Sequence, residues 1–320
     1  MLAPLLLMTL GLAILVAGAE FLVRGAVGLA RALGVSPLVI GLTVVSFGTS
    51  SPEFAVAVKA AFGGAGDLSI GNIAGSNLFN TALILGISAI VCPLAVNLQV
   101  VRLDLPVMLA ASVLFTVFCL TGKTLEVWEG AILFALVIAY TVFLIRLSRR
   151  EEAIAAAAEA AVAEAGPEPE TGARRPWVHL LLFFIRLAAL IYGSTVLVDN
   201  AVIAARLLGW SEALIGLTIV AVGTSLPELA ASIAAAAKKE TDMAVGNIVG
   251  SNTFNVLSIG GAAGILGPVR MDGIELLDFG AMLLVSFLLI PLMWRGFRIQ
   301  RWEGAVLVAI FGAYLALRWP

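Results

Sequence analysis

Charged residues are scarce in this 320-residue chain: Asp, Glu, Lys and Arg make up 12% of it, whereas hydrophobic residues make up 61%. The mean hydropathy is +1.07. A soluble protein of this length needs a much more polar surface, so the soluble globular classes are excluded. The net charge of −2 gives no basis for binding nucleic acid. The composition therefore predicts an integral membrane protein.

Histidine and cysteine are almost absent. The single histidine, His179, stands at the start of an apolar run, where no Ser/His/Asp or Cys/His set can be assembled around it. Cys92 and Cys119 lie in apolar runs without C-x-x-C spacing, which predicts core residues instead of a redox pair or metal site. No phosphate-binding loop or cofactor motif is present. The sequence therefore predicts that the protein is not an enzyme and holds no permanent cofactor.

One stretch of the chain occurs twice. Residues 36–80 and 211–255 align without a gap at an offset of 175, with 23 of 45 positions identical. The first copy contains GTSSPE and GSNLFN, and the second contains GTSLPE and GSNTFN. A long internal repeat determines the architecture, so it is considered before any single motif.

Apolar runs long enough to span a bilayer occur ten times, five in each half of the chain. They lie near residues 3–32, 37–62, 68–93, 103–121, 127–147, 177–208, 212–237, 243–267, 274–294 and 302–318. An odd number of spans per half forces the second half to enter the membrane upside down. The prediction is an all-α integral membrane protein whose ten transmembrane helices form two inverted five-helix repeats, at residues 1–147 and 177–320.

The segment between the halves, residues 148–176, is polar. Its alanine and glutamate content predicts a short solvated helix that ends at Gly166-Pro167. The loops on the side of this linker carry twelve Lys and Arg residues, against five in the opposite loops. The positive-inside rule therefore predicts a plasma-membrane protein with a cytoplasmic linker and both termini outside.

The GTSxPE motif lies within a predicted span. Pro52 has no N–H and clashes with the carbonyl four residues earlier, which predicts a break that bares the carbonyls of residues 46–48. Thr49 and Ser50 share a helix face with Glu53, since they precede it by four and three residues. The second copy repeats the set with Pro227, Thr224, Ser225 and Glu228.

The GSNxFN motif adds Ser76 and Asn80 in one copy and Ser251 and Asn255 in the other. Such residues also serve simple helix packing, but their recurrence with GTSxPE in one register favours a binding site. Carboxylates inside a membrane cost about 2.5–3.5 kcal/mol each and are functional by default. An all-oxygen set with two carboxylates suits Ca²⁺, and its hydroxyl and carbonyl members suit Na⁺.

Through these paired motifs the whole chain resembles the cation/calcium antiporter superfamily, in particular its sodium/calcium exchangers and their bacterial relatives. The resemblance implies a ten-helix exchanger with Ca²⁺ and Na⁺ sites near the membrane midplane. It also implies a ligand set of Glu53, Glu228, Thr49, Ser50, Thr224, Ser225, Ser76 and Ser251, with carbonyls from Ser46 and Ala221, and with Asn80 and Asn255 ending the second motif of each copy.

The resemblance also bears on the coupling ion. Potassium-dependent exchangers, and some prokaryotic exchangers, carry an aspartate where this chain has Asn255. The two asparagines resemble potassium-independent exchangers instead, so the resemblance implies exchange that does not need K⁺. Three Na⁺, the family's usual number, against one Ca²⁺ make the cycle electrogenic. Proton-coupled relatives usually show GNAxE in place of GNIAGSN and GNIVGSN, yet a proton-coupled exchanger of Ca²⁺ or another divalent cation stays open as the alternative. The expected partners are Ca²⁺, Na⁺ and the lipid bilayer, without nucleic acid.

Glu20 and Asp199 lie within the first and sixth predicted spans. Their counterparts in the other half are Thr195 and Arg24, so neither carboxylate is duplicated. We therefore expect both to be structural residues or to lie at the rim of the site.

Overall fold

The computed structural model of the chain describes residues 2–162, 176–210, 219, 221–271, 273–274 and 276–318. Nearly all of these residues are helical, and six helices are long and apolar enough to cross a membrane. They are Leu2–Leu33, Gly66–Val91, Val100–Leu120, Val127–Glu151, Trp177–Leu207 and Leu276–Trp294. The pair Pro37–Thr49 and Ser51–Phe62, bent by 50°, is a seventh candidate. The protein is an all-α membrane protein, as predicted.

The first half contains α1 (Leu2–Leu33), α2 (Pro37–Ile40), α3 (Ser46–Thr49), α4 (Ser51–Phe62), α5 (Gly66–Leu78), α6 (Leu85–Val91), β1 (Leu94–Ala95), α7 (Leu105–Leu120), β2 (Thr124–Leu125) and α8 (Val127–Val162). The second half contains α9 (Pro176–Leu207), α10 (Ala221–Thr224), α11 (Leu226–Ala237), α12 (Thr241–Phe254), α13 (Gly260–Ile265), β3 (Val269–Arg270), α14 (Leu276–Trp294), β4 (Arg298–Ile299) and α15 (Arg301–Arg318).

Within the described part of the chain, four π-helical segments have defined bounds; three of them connect two α-helices, and Val100–Asp104 leads into α7. They are Gly41–Val45, Phe79–Ile84, Val100–Asp104 and Asn255–Ile259. Two of them start at or beside the asparagines that end the GSNxFN motifs. Single π turns are frequent at functional sites, because the extra residue turns side chains out of the regular helical register. The apolar pattern does not reveal them, since one inserted residue leaves the run equally apolar.

Each of the ten predicted spans contains helical residues in the structure, although residues 212–218 and 220 of the seventh lie outside the described part. The linker helix differs from the prediction. α8 continues from the fifth span without a break to Val162, so this segment is not a separate short helix. The predicted end at Gly166-Pro167 falls outside the described residues.

The first helix of each half packs against the other in antiparallel fashion. The backbone of Gly11 lies against Leu197, Gly18 lies against Leu190, and Gly193 lies against Leu15. Residues later in α1 contact residues earlier in α9, so the two helices run in opposite directions. Glycine permits this close approach, because a Cβ at Gly193 would lie 2.5 Å from the backbone nitrogen of Leu15.

Two short antiparallel ribbons connect the halves. In the first, Leu94 of β1 pairs with Ile299 of β4; in the second, Thr124 of β2 pairs with Arg270 of β3. The ribbons lie at opposite ends of the molecule, because α7 runs from the β1 end to the β2 end. We call these ends the β1·β4 face and the β2·β3 face. A strand of two residues is too short to show an alternation of apolar and polar residues, so the sequence does not predict these strands.

The apolar interior consists of a large cluster around α1, α2, α7 and α12 and a second cluster around Phe115 and Phe279. The two cysteines are free. Cys119 is buried in the second cluster, as predicted, and Cys92 is half-buried against the first.

Candidate cation site

The GTSxPE motifs form two helix breaks inside the protein. Ser50 separates α3 from α4 with φ −80° and ψ 8°, and Ser225 separates α10 from α11 with φ −92° and ψ 7°. Pro52 and Pro227 lie in the first turn of the following helix. Backbone N–H groups in a first turn have no acceptor within the helix, so proline costs no hydrogen bond there. The break expected at Pro52 is confirmed by the bend of 50°.

At these breaks the hydroxyl of each copy is paired with the carboxylate of the other copy. Ser50 Oγ donates to Glu228 Oε1 at 2.8 Å, and Ser225 Oγ donates to Glu53 Oε1 at 2.7 Å. Both carboxylates are only 1% exposed. Because residues 50 and 53 correspond to 225 and 228, the two bonds are one contact made twice, which is the mark of a two-fold relation. From the sequence, each hydroxyl was expected beside the carboxylate of its own copy. In the structure each hydroxyl bonds to the carboxylate of the other copy, because the two breaks face each other.

The threonines of the motifs extend the same arrangement. Thr224 contacts Glu53, and Thr49 contacts Glu228. Thr49 is fully buried, and its Oγ1 also lies 3.3 Å from Oδ1 of Asn247. Both predicted threonines therefore lie at the carboxylates.

The carbonyl predicted to be bare at Ser46 is engaged in the structure. It accepts the N–H of Ser50 at 3.0 Å and lies 3.4 Å from the Thr49 hydroxyl, which donates to it. The Ser46 hydroxyl lies 3.0 Å from the carbonyl of Asn247 and donates to it. Ala221 is the first residue of α10, three positions before Thr224, which places its backbone one helical turn from the second break.

The GSNxFN residues line the same interior. Ser76, Asn80, Ser251 and Asn255 are all buried. Several oxygens of the site make no hydrogen bond with any residue that the structure describes: Glu53 Oε2, Glu228 Oε2, Asn80 Oδ1, Ser251 Oγ and Asn255 Oδ1. A buried acceptor without a partner costs about 1–3 kcal/mol, so a cation or a water molecule bound at these oxygens would be stabilised.

The central asparagines of the two GSN motifs were not among the predicted site residues. Asn77 donates from Nδ2 to the carbonyl of Asn252 at 3.1 Å and accepts from Asn255 Nδ2 at 3.0 Å. Asn252 Nδ2 in turn lies 2.6 Å from the Thr81 hydroxyl. These bonds join the two halves of the protein in its buried interior. Their duplication in the repeat was the available signal, but amide side chains on a helix do not show which way they face.

A second missed pair supports the breaks from α5 and α12. Asn72 Nδ2 donates to the carbonyl of Glu53 at 3.3 Å, and Asn247 Nδ2 donates to the Ser232 hydroxyl at 2.9 Å. Both asparagines follow the glycine of the GNI sequence in their copy. They hold the backbone and hydroxyls of the site in place.

Among the described residues, no group of three or more His, Cys, Asp and Glu side chains is close enough together to hold a metal ion. The acidic side chains near the centre are the two glutamates, and the remaining oxygens come from hydroxyl, amide and carbonyl groups. Oxygens of these kinds are the ligands of hard cations. A weakly charged, all-oxygen set suits an ion that binds and leaves.

Glu20 lies away from this centre, as expected for a structural residue. Its Oε1 lies 2.6 Å from an amino nitrogen of Arg24 and 2.9 Å from Nζ of Lys238. Lys238 ends α11, so the ion pair connects α1 to the helix that starts at the second break. The Glu20 and Arg24 side chains are well exposed.

The fold and the site together define a multi-pass membrane protein with a duplicated, buried, oxygen-lined centre. A family model described as "Sodium/calcium exchanger protein" matches residues 3–146 and 178–319. The chain belongs to this family.

Relatives of similar length cover nearly all of the chain. It is 37% identical to the inner membrane protein YrbG of Escherichia coli, over 99% of this chain and 97% of that protein. It is 35% identical to the putative antiporter CaxA of Alkalimonas amylolytica, over 98% of both chains. The sodium/calcium exchanger MaX1 of Methanosarcina acetivorans is 31% identical, over 98% of this chain and 97% of its own.

A solved structure of the sodium-calcium exchanger NCX_Mj, soaked with 10 mM Na⁺ and no Ca²⁺, superimposes with a TM-score of 0.83. The two sequences are 30% identical, and the alignment covers 98% of each chain. The resemblance expected from the motifs is thereby confirmed. The protein is a membrane antiporter of the sodium/calcium exchanger family and not an enzyme.

Proposed function

We propose that the protein exchanges Ca²⁺ for Na⁺ by alternating access, with the ions bound between the breaks at Ser50 and Ser225. The observation that carries this proposal is the reciprocal pairing of Ser50 with Glu228 and of Ser225 with Glu53. Each glutamate uses one oxygen in that pair and keeps the other buried and without a partner. The two unpartnered oxygens supply the negative charge that a cation has to meet.

The proposed ligands are the residues that the sequence picked out. Hydroxyl, amide and carbonyl oxygens supplement the glutamates: those of Thr49, Ser50, Thr224, Ser225, Ser76, Ser251, Asn80 and Asn255, with carbonyls of Ser46 and Ala221. One Ca²⁺ cancels the two carboxylate charges, whereas three Na⁺ leave a net charge of +1. Exchange is then electrogenic, and each charge moved is worth about 2.3 kcal/mol per 100 mV.

We propose an inverted topology for the two halves, at residues 1–147 and 177–320, with residues 148–176 as a cytoplasmic linker. The antiparallel packing of α1 against α9 and the reciprocal contacts at the site support this arrangement. The distribution of Lys and Arg supports a plasma-membrane orientation with both termini outside.

We also propose that the exchange does not need K⁺. Asn255 donates its amide hydrogen to Asn77, so at this position the chain has a neutral, hydrogen-bonded group and no third carboxylate. Without that charge, the site has no additional anion to balance a co-transported K⁺.

The experiment is Ca²⁺ uptake into proteoliposomes loaded with Na⁺, Li⁺, K⁺ or choline, measured with and without a pH gradient. Uptake is expected only with internal Na⁺, and it should follow the membrane potential. External K⁺ should leave it unchanged.

The site variants are Glu53→Gln and Glu228→Gln, which should abolish uptake. The matched controls are Glu129→Gln and Glu303→Gln. These two glutamates are also buried, but they accept backbone N–H groups of Glu126 and Gln300 at 2.8 and 2.7 Å and lie at helix starts. Both controls should retain uptake. Equal uptake driven by a pH gradient with choline inside would replace Na⁺ coupling with proton coupling, and flux without any counter-ion would indicate a channel.

A further inference from the structure

A small cavity lies beside the site on the β2·β3 side. It has a volume of about 60 Å³, and Ser50, the donor to Glu228, forms part of its wall. One water molecule needs roughly 10–15 Å³ measured in this way, so the cavity has room for a cation with a few of its waters. Its walls come in part from α4 and from the segment between Asn255 and α13, and both of these run towards the β2·β3 face.

Much of the cavity wall is aromatic. Phe47, Phe54 and Phe254 line it. The rings of Phe47 and Phe254 meet edge to face with centroids 5.5 Å apart, and Phe47 is 52% exposed. Apolar rings exclude bulk water from the cavity, while their faces attract a cation.

The interior of the cavity carries a hydroxyl that nothing in the exchange site explains. Ser258 lines the cavity, is only 4% exposed, and makes no hydrogen bond with any residue that the structure describes. It lies in the π-helix one turn beyond Asn255. Ser51 also lines the cavity, with its hydroxyl bonded to the carbonyl of Phe47 at 3.1 Å. A hydroxyl that lines a cavity and bonds to no described residue is available to a cation or to its water.

In the other half of the repeat, the described counterparts of the cavity wall are packed against apolar neighbours. Phe254, Ser51, Phe54 and Ser258 correspond, 175 positions away, to Phe79, Leu226, Leu229 and Leu83. All four of these counterparts pack in the large apolar cluster. Leucine thus replaces both serines in the copy of the repeat that faces the β1·β4 side, and these leucines pack against apolar neighbours. The hydroxyls are a feature of one face only.

We propose that Ser258, with Ser51, forms an antechamber on the β2·β3 side, in which a partly dehydrated Ca²⁺ or Na⁺ is held before it reaches Ser50 and Glu228. This inference rests on the proposed exchange function. Ser258 supplies the first protein oxygen to replace lost water, so it determines apparent ion affinity from the β2·β3 face and not from the β1·β4 face.

The first test is chemical accessibility in a Cys92→Ala/Cys119→Ala background. Ser258→Cys and Leu83→Cys occupy equivalent positions in the two halves and form a matched pair. In detergent, where both faces are open, 2-aminoethyl methanethiosulfonate should modify Ser258→Cys at least tenfold faster than Leu83→Cys. Saturating Ca²⁺ should slow the faster reaction. Equal rates, or a rate at Ser258→Cys that Ca²⁺ leaves unchanged, would overturn the proposal.

The second test separates the two faces by transport. In right-side-out and everted vesicles, Ser258→Ala and Ser258→Leu should raise the half-saturating Ca²⁺ concentration about fivefold or more from the β2·β3 face alone. A variant that only loses stability changes both faces together, and an equal shift on both faces would contradict the antechamber. If the wild-type protein shows no Na⁺-dependent uptake, the proposed exchange function itself fails. The accessibility test measures no transport, so its result on the antechamber is independent of that outcome.

Discussion

Ser50 Oγ lies 2.8 Å from Glu228 Oε1, although the two residues stand 178 positions apart in the chain. The same bond recurs between Ser225 and Glu53. Each half of the protein therefore completes the site of the other half. A change in the packing of the halves must alter both carboxylates together, which is what an alternating-access site requires.

Removal of either serine hydroxyl should weaken Ca²⁺ binding. In Ser50→Ala and Ser225→Ala, a buried carboxylate oxygen loses its donor, and the cation loses a ligand. A loss of about 1–3 kcal/mol corresponds to roughly 5- to 150-fold in the dissociation constant. Isothermal titration with Ca²⁺ should show similar losses for both variants. The control is Ser112→Ala, whose hydroxyl bonds only to the Met108 carbonyl in its own helix; a tenfold loss there would point to a general packing defect.

Asn255→Asp should destabilise the ion-free protein. The variant loses the amide hydrogen that Asn255 donates to Asn77 at 3.0 Å, and it brings a third carboxylate near the two glutamates. An unmatched buried acceptor costs about 1–3 kcal/mol, so the unfolding temperature without divalent ions should fall. Saturating Ca²⁺ should then raise that temperature by more than it does in the wild type. If Ca²⁺ stabilises the two proteins equally, Asn255 does not face the bound ion.

The packing of α1 against α9 should be sensitive to a single methyl group. In Gly193→Ala the new Cβ would lie 2.5 Å from the backbone nitrogen of Leu15, so the helices must move apart. The matched control is Gly312→Ala in α15, where no heavy atom lies within 4 Å. The first change should lower the unfolding temperature, and the second should leave it unchanged or raise it, because alanine is about 1 kcal/mol better than glycine in a helix. An equal effect of both would contradict the close approach.

Tyr140→Phe should be more destabilising than Tyr314→Phe. Tyr140 donates to the fully buried Asp104 at 2.8 Å, and Tyr314 makes the equivalent bond to Asp278, which is only half-buried. Loss of the first bond leaves a buried carboxylate with Gln99 as its remaining donor among the described residues. Thermal unfolding should show the difference, at about 1–3 kcal/mol for Tyr140→Phe. The requirement for Na⁺ should stay the same in both variants, since neither tyrosine lies at the exchange site.

The helical character and the place of the site could be predicted from local patterns. Ten apolar runs marked the helices, and Pro52 marked the break that the structure shows beside Ser50. The boundaries of helices were less certain, because α8 continues past the last apolar residue on alanine and glutamate, which favour helix in water. The π-helical segments and two-residue ribbons left no pattern in the sequence.

The sequence by itself pointed to the carboxylates and hydroxyls of the candidate site, since a duplicated set of this kind in an apolar chain is recognisable from residue types alone. Only the tertiary structure decided how they pair. Spacing along one helix predicted that Ser50 lies beside Glu53. Because the two helix breaks meet in the structure, the Ser50 hydroxyl donates its hydrogen bond to Glu228 instead. The asparagine bonds from Asn77 to Asn252 and Asn255 follow from the same meeting. Which residues form hydrogen bonds with each other depends on how segments 175 residues apart pack together. Local sequence patterns contain no information about that packing.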